Sequence, residues 1–146
     1  MKLVIAVCLT VGILAALSIN AGEGTTDERD AIEAAARDYI DGWYEGNAER
    51  MARALHPDLA KRTVRALPDG SETLNTLSQS NMVAYTRAGF GKKSKQEGQH
   101  NEVIIFDVMS KTASVKTISH EFIDYLHLAK IDGQWRIVNV LWEPAQ

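Results

Sequence analysis

Asp124 and Asn139 are the polar side chains best placed to address one small molecule, because both sit in a C-terminal stretch, Phe122 to Trp142, that is otherwise largely apolar. On a regular hairpin they fall on one side of the sheet as diagonal neighbours, roughly 7 Å apart in backbone separation. A carboxyl group in an apolar cavity can have its pKa raised and act as a general acid or base. The plainer reading, favoured by the residues, is a mutual hydrogen bond that satisfies two buried polar groups. His56 is the second acid–base candidate. It stands beside Pro57 at the end of a short helix, where a role at a pocket mouth competes with the favoured reading, a ring bonded to a local carbonyl or to Asp58. His120 shares a face with Asp124, but four strand residues separate them by about 13 Å, too far for a direct proton relay.

Aromatic residues supply possible walls. Tyr39 and Trp43 on a first helix, Tyr85 on a third and Trp135 on the sheet could line an apolar cavity with a few polar handles, or serve as ordinary core. Metal ligation is disfavoured. There is no His-x-His on a strand and no His-x-x-x-His on a helix, and the single cysteine, Cys8, lies in the N-terminal apolar run. Gly-rich phosphate cradles and the Gly-x-Ser-x-Gly elbow are also missing, so no cofactor is expected.

The elements that must position these residues are read from periodicity. A stripe of Ile32, Ala35, Ala36, Tyr39, Ile40 and Trp43 predicts a helix from about Asp27 to Glu45, broken by Gly46-Asn47. Asn47 caps a second, short helix that turns in Met51, Ala54 and Leu55 and cannot continue past Pro57. Extended segments follow at Leu59 to Leu67 and Glu72 to Leu77, joined by Pro68-Asp69-Gly70. A third helix is expected from Ser78 or Gln79 to about Ala88. Gly89 to Asn101, with three glycines and Lys92, Lys93 and Lys95, reads as a mobile polar loop whose charges are solvated. Glu102 to Val108 and Thr112 to Ser119 are the next strands.

The last hairpin turns at Asp132-Gly133, a pair suited to a type I′ turn. With Ile131 opposite Gln134, regular pairing sets Asp124 opposite Leu141, Leu126 opposite Asn139, Leu128 opposite Ile137 and Lys130 opposite Trp135 on one face. The other face then carries Tyr125, His127, Val138, Val140 and Trp142. Both faces are mainly apolar, so helices cover one while a second protomer or a further layer covers the other. The expected architecture is an α+β domain with a curved antiparallel sheet wrapped around its N-terminal helices, forming a homodimer through the convex face.

Of the 146 residues, the first 21 read as a signal peptide: Lys2, an apolar run from Leu3 to Leu17, and small residues ending at Ala21. The run is shorter than the ~20 residues of a spanning helix, so no stable membrane anchor is expected after cleavage. Residues 22–26 form a flexible leader and 27–146 a single domain of ordinary size, exported to the periplasm or the cell exterior. With 16 basic and 19 acidic residues, charge gives no case for a nucleic-acid partner.

The order of elements, with Tyr39 to Leu59 (YIDGWYEGNAERMARALHPDL), Asp124 to Leu128 and Asp132 to Asn139, resembles the NTF2-like superfamily and, within it, the SnoaL-like and putative lumazine-binding groups. The resemblance implies a cone with a pocket between the first helix and the concave sheet face, and frequently a dimer through the convex face. The superfamily includes dehydratases, ketosteroid-type isomerases, polyketide cyclases and non-enzymatic binding modules, so fold does not decide function. No constellation here singles out a pteridine-like ring. The leading expectation is a non-catalytic module for a small apolar or aromatic ligand. The alternatives are a cofactor-independent lyase or isomerase using Asp124, with His56 or Tyr85, and a structural dimer whose cone is filled with side chains.

Overall fold

The computed structural model describes residues 25–146; the signal-peptide expectation and most of the leader lie outside the described residues. Helix α1, Thr26–Glu45, starts where Thr25 Oγ1 accepts the Glu28 backbone N–H at 3.3 Å, with Asp27 and Glu28 in the positive first turn. It ends at Gly46, whose φ of 67° is the left-handed conformation that closes many helices. Its predicted stripe is buried through Ile40, and α2, Ala48–Ala54, begins under the Asn47 cap.

Strand β1, Leu55–Ala66, begins four residues earlier than Leu59, because Leu55 pairs with Ile137 of the last strand ahead of an irregularity that spans His56 to Leu59. Strand β2 is Glu72–Leu77, and α3, Gln79–Arg87, opens on a capping box between Ser78 and Asn81. The segment expected as a loop contains a short helix, α4, Phe90–Ser94. Close packing places it there: a Cβ on Gly91 would come within 2.4 Å of the Trp43 ring, so only glycine lets this backbone lie against α1. The lysines Lys92, Lys93 and Lys95 are exposed.

Strands β3, Glu102–Val108, β4, Thr112–Ile118, β5, Phe122–Ile131, and β6, Gln134–Pro144, complete a curved, unclosed sheet in the order β2-β1-β6-β5-β4-β3. The sheet is mixed, since β1 runs parallel to β6 while all other neighbours are antiparallel. The core lies between α1 and the concave face, where Ile32, Tyr39, Ile40, Met51, Leu55, Leu126, Leu128, Ile137 and Val140 are all buried.

The hairpin departs from regular pairing at one point. Asp132 and Gly133 have φ of 49° and 80°, as a type I′ turn requires, and Lys130 pairs with Trp135 and Leu128 with Ile137. Beyond them β6 carries one extra residue, so His127 pairs with Asn139, Leu126 with Val140, Tyr125 with Leu141 and Asp124 with Trp142. A bulge of one residue reverses every face that follows it. Asn139 therefore leaves the concave face, and Val140 and Trp142 leave the expected convex set.

Candidate functional site

A pocket of about 160 Å³ opens between α1, α3 and the concave sheet. Tyr39, Ile40 and Trp43 come from α1 and Met82 and Tyr85 from α3. The sheet contributes Lys61 of β1, Leu77 of β2, Phe122 and Asp124 of β5 and Trp142 of β6. Its polar groups are concentrated in one cluster. Asp124 Oδ1 accepts hydrogen bonds from the Lys61 ammonium and from Tyr39 Oη, the latter at 2.8 Å. Lys61 Nζ also donates to Tyr39 Oη at 2.7 Å, and Thr117 Oγ1 lies 3.5 Å from Asp124 Oδ2. The ammonium stands 4.7 Å from the centroid of the Trp142 ring, within the range of cation–π attraction.

Strand alternation brings these groups together. Leu59, Lys61 and Thr63 are successive inward residues of β1, and Asp124 sits between Thr117 of β4 and Trp142 of β6. Tyr39 reaches the cluster from the buried stripe of α1. Burial pushes the Lys61 pKa below its usual 10.5, against the opposing pull of Asp124. Burial also holds the Tyr39 phenol well above its ordinary 10, reinforced by the Asp124 charge and by its hydrogen bond to that carboxylate.

Of the residues singled out in the sequence, Tyr39, Trp43, Tyr85 and Asp124 meet in this pocket. Trp135 does not. Its Nε1 donates to Glu28 at 2.6 Å, beside a Lys130 ammonium that donates to the same carboxylate, so it joins the sheet to the start of α1. Asn139 lies on the convex face, where His127 Nδ1 is 3.1 Å from its Nδ2 and Arg62 donates to its Oδ1 at 3.2 Å. The bulge separates it from Asp124. His56 is not among the pocket walls; its Nδ1 accepts the Asp58 backbone N–H at 3.1 Å, the local role weighed above.

Lys61 is the functional candidate missed in the sequence. Its signal was present in the alternation Leu59, Lys61, Thr63, but β1 also carries Arg62 and Arg65, and nothing local distinguishes the inward cation from these. Trp142 was placed on the wrong face by the unbroken register. The indole N–H groups of Trp43 and Trp142 are both buried without a hydrogen-bond partner. Among the described residues, no three His, Cys, Asp or Glu side chains cluster as metal ligands would.

Chemically, this is an apolar pocket with a neutralised polar base. Asp124 Oδ1 already receives two donors, so a substrate proton seeking that oxygen competes with an ammonium and a phenol.

Solved structures show the same fold. An NTF2-like protein of unknown function from Silicibacter pomeroyi DSS-3 is 16% identical with a TM-score of 0.63, over 84% of this chain and 100% of that one. One from Methylobacillus flagellatus KT is 20% identical with a TM-score of 0.62, over 85% and 97%. A ketosteroid isomerase-like protein from Erwinia carotovora atroseptica is 13% identical with a TM-score of 0.55, over 83% and 98%. No curated protein matches the chain. The family model described as putative lumazine-binding matches residues 27–143, nearly all of the described domain, and the chain thus belongs to that family of NTF2-like proteins.

Proposed function

We propose that this domain is an exported, non-catalytic binding or accessory module that holds a small apolar or aromatic molecule in its cone. The observation that carries the reading is the aromatic-lined pocket of about 160 Å³, whose charged groups are engaged with one another. Walls of this kind reward apolar contact, and a mutually satisfied base adds no unpaired charge to the ligand's surroundings. Export rests on the Lys2, Leu3 to Leu17 and Ala21 pattern of the N-terminus.

A homodimer through the convex face belongs to the same proposal. Val64 pairs with Leu74 and Tyr125 with Leu141 across neighbouring strands, and these four side chains are 58%, 57%, 43% and 50% exposed. An apolar band of this sort favours burial against a second surface. Tyr125 and His127 remain in the interface set, and Leu141 takes the place that regular pairing assigned to Val140 and Trp142.

The catalytic alternative, a lyase or isomerase with Asp124 as acid or base, draws support from the position of that carboxyl in an apolar pocket. It requires the substrate to displace Lys61 or Tyr39 from Oδ1, or to reach Oδ2, which has only Thr117 Oγ1 beside it at 3.5 Å. Mass measurement of the mature protein under non-denaturing conditions, followed by thermal unfolding with a panel of small aromatic compounds, tests the binding reading. The expected result is a dimer with a retained small molecule or a melting temperature raised by members of the panel. A bare protein indifferent to the whole panel would overturn it, and turnover of a carbonyl substrate lost in Asp124→Asn would establish the catalytic alternative.

A further inference from the structure

We infer that the pocket takes the hydrocarbon end of an organic acid, a group of about six carbons, while the anionic end stays outside on a cationic rim made by α3 and α4. This rests on the binding reading and names the class of ligand. The cavity accounts for the first half. Lys61, Tyr39 and Asp124 stand at its base but are bonded to one another, and almost no polar atom reaches its surface. A polar group seated inside gives up its hydrogen bonds to water and finds none in return, so hydrocarbon is favoured there. The space of about 160 Å³ is comparable with the roughly 150 Å³ that holds a benzene-sized guest.

The rim accounts for the second half. Tyr85 lines the pocket and is 37% exposed, so it stands where the cavity meets solvent. Phe90 of α4, half exposed, packs edge-on against it with ring centroids 5.5 Å apart, and Lys93 Nζ stands 5.4 Å from the centroid of the Phe90 ring. A chain that leaves the cavity past Tyr85 thus meets an exposed aromatic pair and then an ammonium.

Charge along this side of the pocket has one sign. From Thr73 to Gln96 the chain carries Arg87, Lys92, Lys93 and Lys95 and no Asp or Glu, although the whole sequence has 19 acidic and 16 basic residues. All four cations are exposed, and none joins an ion pair among the described residues. Two acids of other elements bear on this end of the fold. Glu45, at the end of α1, is paired with Arg50 at 2.8 Å, and Glu121 accepts from Ser94 Oγ at 2.7 Å, at the C-terminal end of α4. Lys93 is therefore the cation assigned to the ligand's anionic end, where an exposed charge selects among ligands more than it tightens them.

The test titrates the mature domain with butanoate, hexanoate, 1-hexanol and hexylamine, read by NMR at the Met82 methyl group, which lies in the pocket wall. Hexanoate is expected to bind at least tenfold tighter than butanoate, since each buried CH₂ is worth about 0.8 kcal/mol, close to fourfold. It should also bind about threefold tighter than 1-hexanol, the size of one exposed ion pair, with hexylamine weakest. That margin should close in 1 M salt, and Lys93→Gln, an exposed substitution, should bring hexanoate to the level of 1-hexanol without changing the alcohol. Affinity indifferent to chain length would overturn the hydrocarbon end. Hexylamine binding as tightly as hexanoate would overturn the anionic end, and an unchanged preference for hexanoate in Lys93→Gln would overturn the assignment to Lys93. Silence of all four probes while aromatic compounds of the wider panel bind would overturn the ligand class alone. Silence of the panel as well would overturn the binding reading.

Discussion

Two clusters of nearly the same composition tie α1 to the sheet, and their surroundings give them different consequences. In the pocket, Tyr39 of α1 meets Lys61 and Asp124; at the start of α1, Glu28 meets Lys130 and Trp135. Each contains a lysine, a carboxylate and an aromatic hydrogen-bond donor. The Lys61 and Asp124 side chains are almost fully buried, whereas those of Lys130 and Glu28 are 24% and 30% exposed. Water can replace a lost partner in the second cluster but not in the first. The same ion pair is therefore an obligate unit in the pocket and a replaceable tie at the edge.

Breaking the buried pair should have the largest effect. Lys61→Met leaves the Asp124 carboxylate without its cation and should cost about 3–5 kcal/mol in denaturant unfolding, while Lys61→Met with Asp124→Leu should recover most of that loss. If the double variant is no more stable than the single one, the comparison fails at its central point.

Tyr39→Phe removes the hydroxyl and should cost about 1–2 kcal/mol near neutral pH. Its pH dependence sharpens the contrast. The folded state holds the Tyr39 proton more tightly than the unfolded chain does, so this stabilisation is complete below pH 10 and is lost as pH rises beyond it. Lys61 acts in the opposite sense. Its depressed pKa means that the unfolded chain binds more protons, so its contribution rises with pH towards 10.5. Measured between pH 9 and 11, the stability advantage of the unaltered protein over Tyr39→Phe should shrink.

At the edge cluster the sensitive range is acidic. Hydrogen bonds from Lys130 and then Trp135 hold the Glu28 carboxyl below its usual 4.5, so its contribution is present above pH 4.5 and falls away as Glu28 takes up a proton. Acid titration of stability should be flatter in Glu28→Gln. Lys130→Met should have the smallest effect of the series, a shift in unfolding midpoint that disappears in 1 M salt, where the Debye length is about 3 Å. A salt-independent loss as large as that of Lys61→Met would erase the distinction between the two clusters.

Local chemistry was enough to read most elements in order. Apolar spacing and the Gly46-Asn47 break outline α1 and α2, and Asp132-Gly133 specifies the closing turn, because caps and turns depend on residues only a few positions apart. Within the site, the stripe that carries Tyr39 and Trp43 and the inward placement of Asp124 were legible for the same reason. Three features were not. Helix α4 forms where Gly91 meets Trp43, 48 positions away in the chain, and no local periodicity marks that contact. The bulge after Ile137 keeps Val140 in the core and turns Trp142 into the pocket, a choice made by packing along the whole strand. Lys61 looks like a solvated cation until Asp124 and Tyr39, 63 and 22 residues distant, are brought to it. The elements and their turns follow from residues that are neighbours along the chain. Which polar side chains share a buried pocket was decided only by tertiary structure, because the register of a bulged strand and the partner of a buried charge are settled by contacts between distant segments.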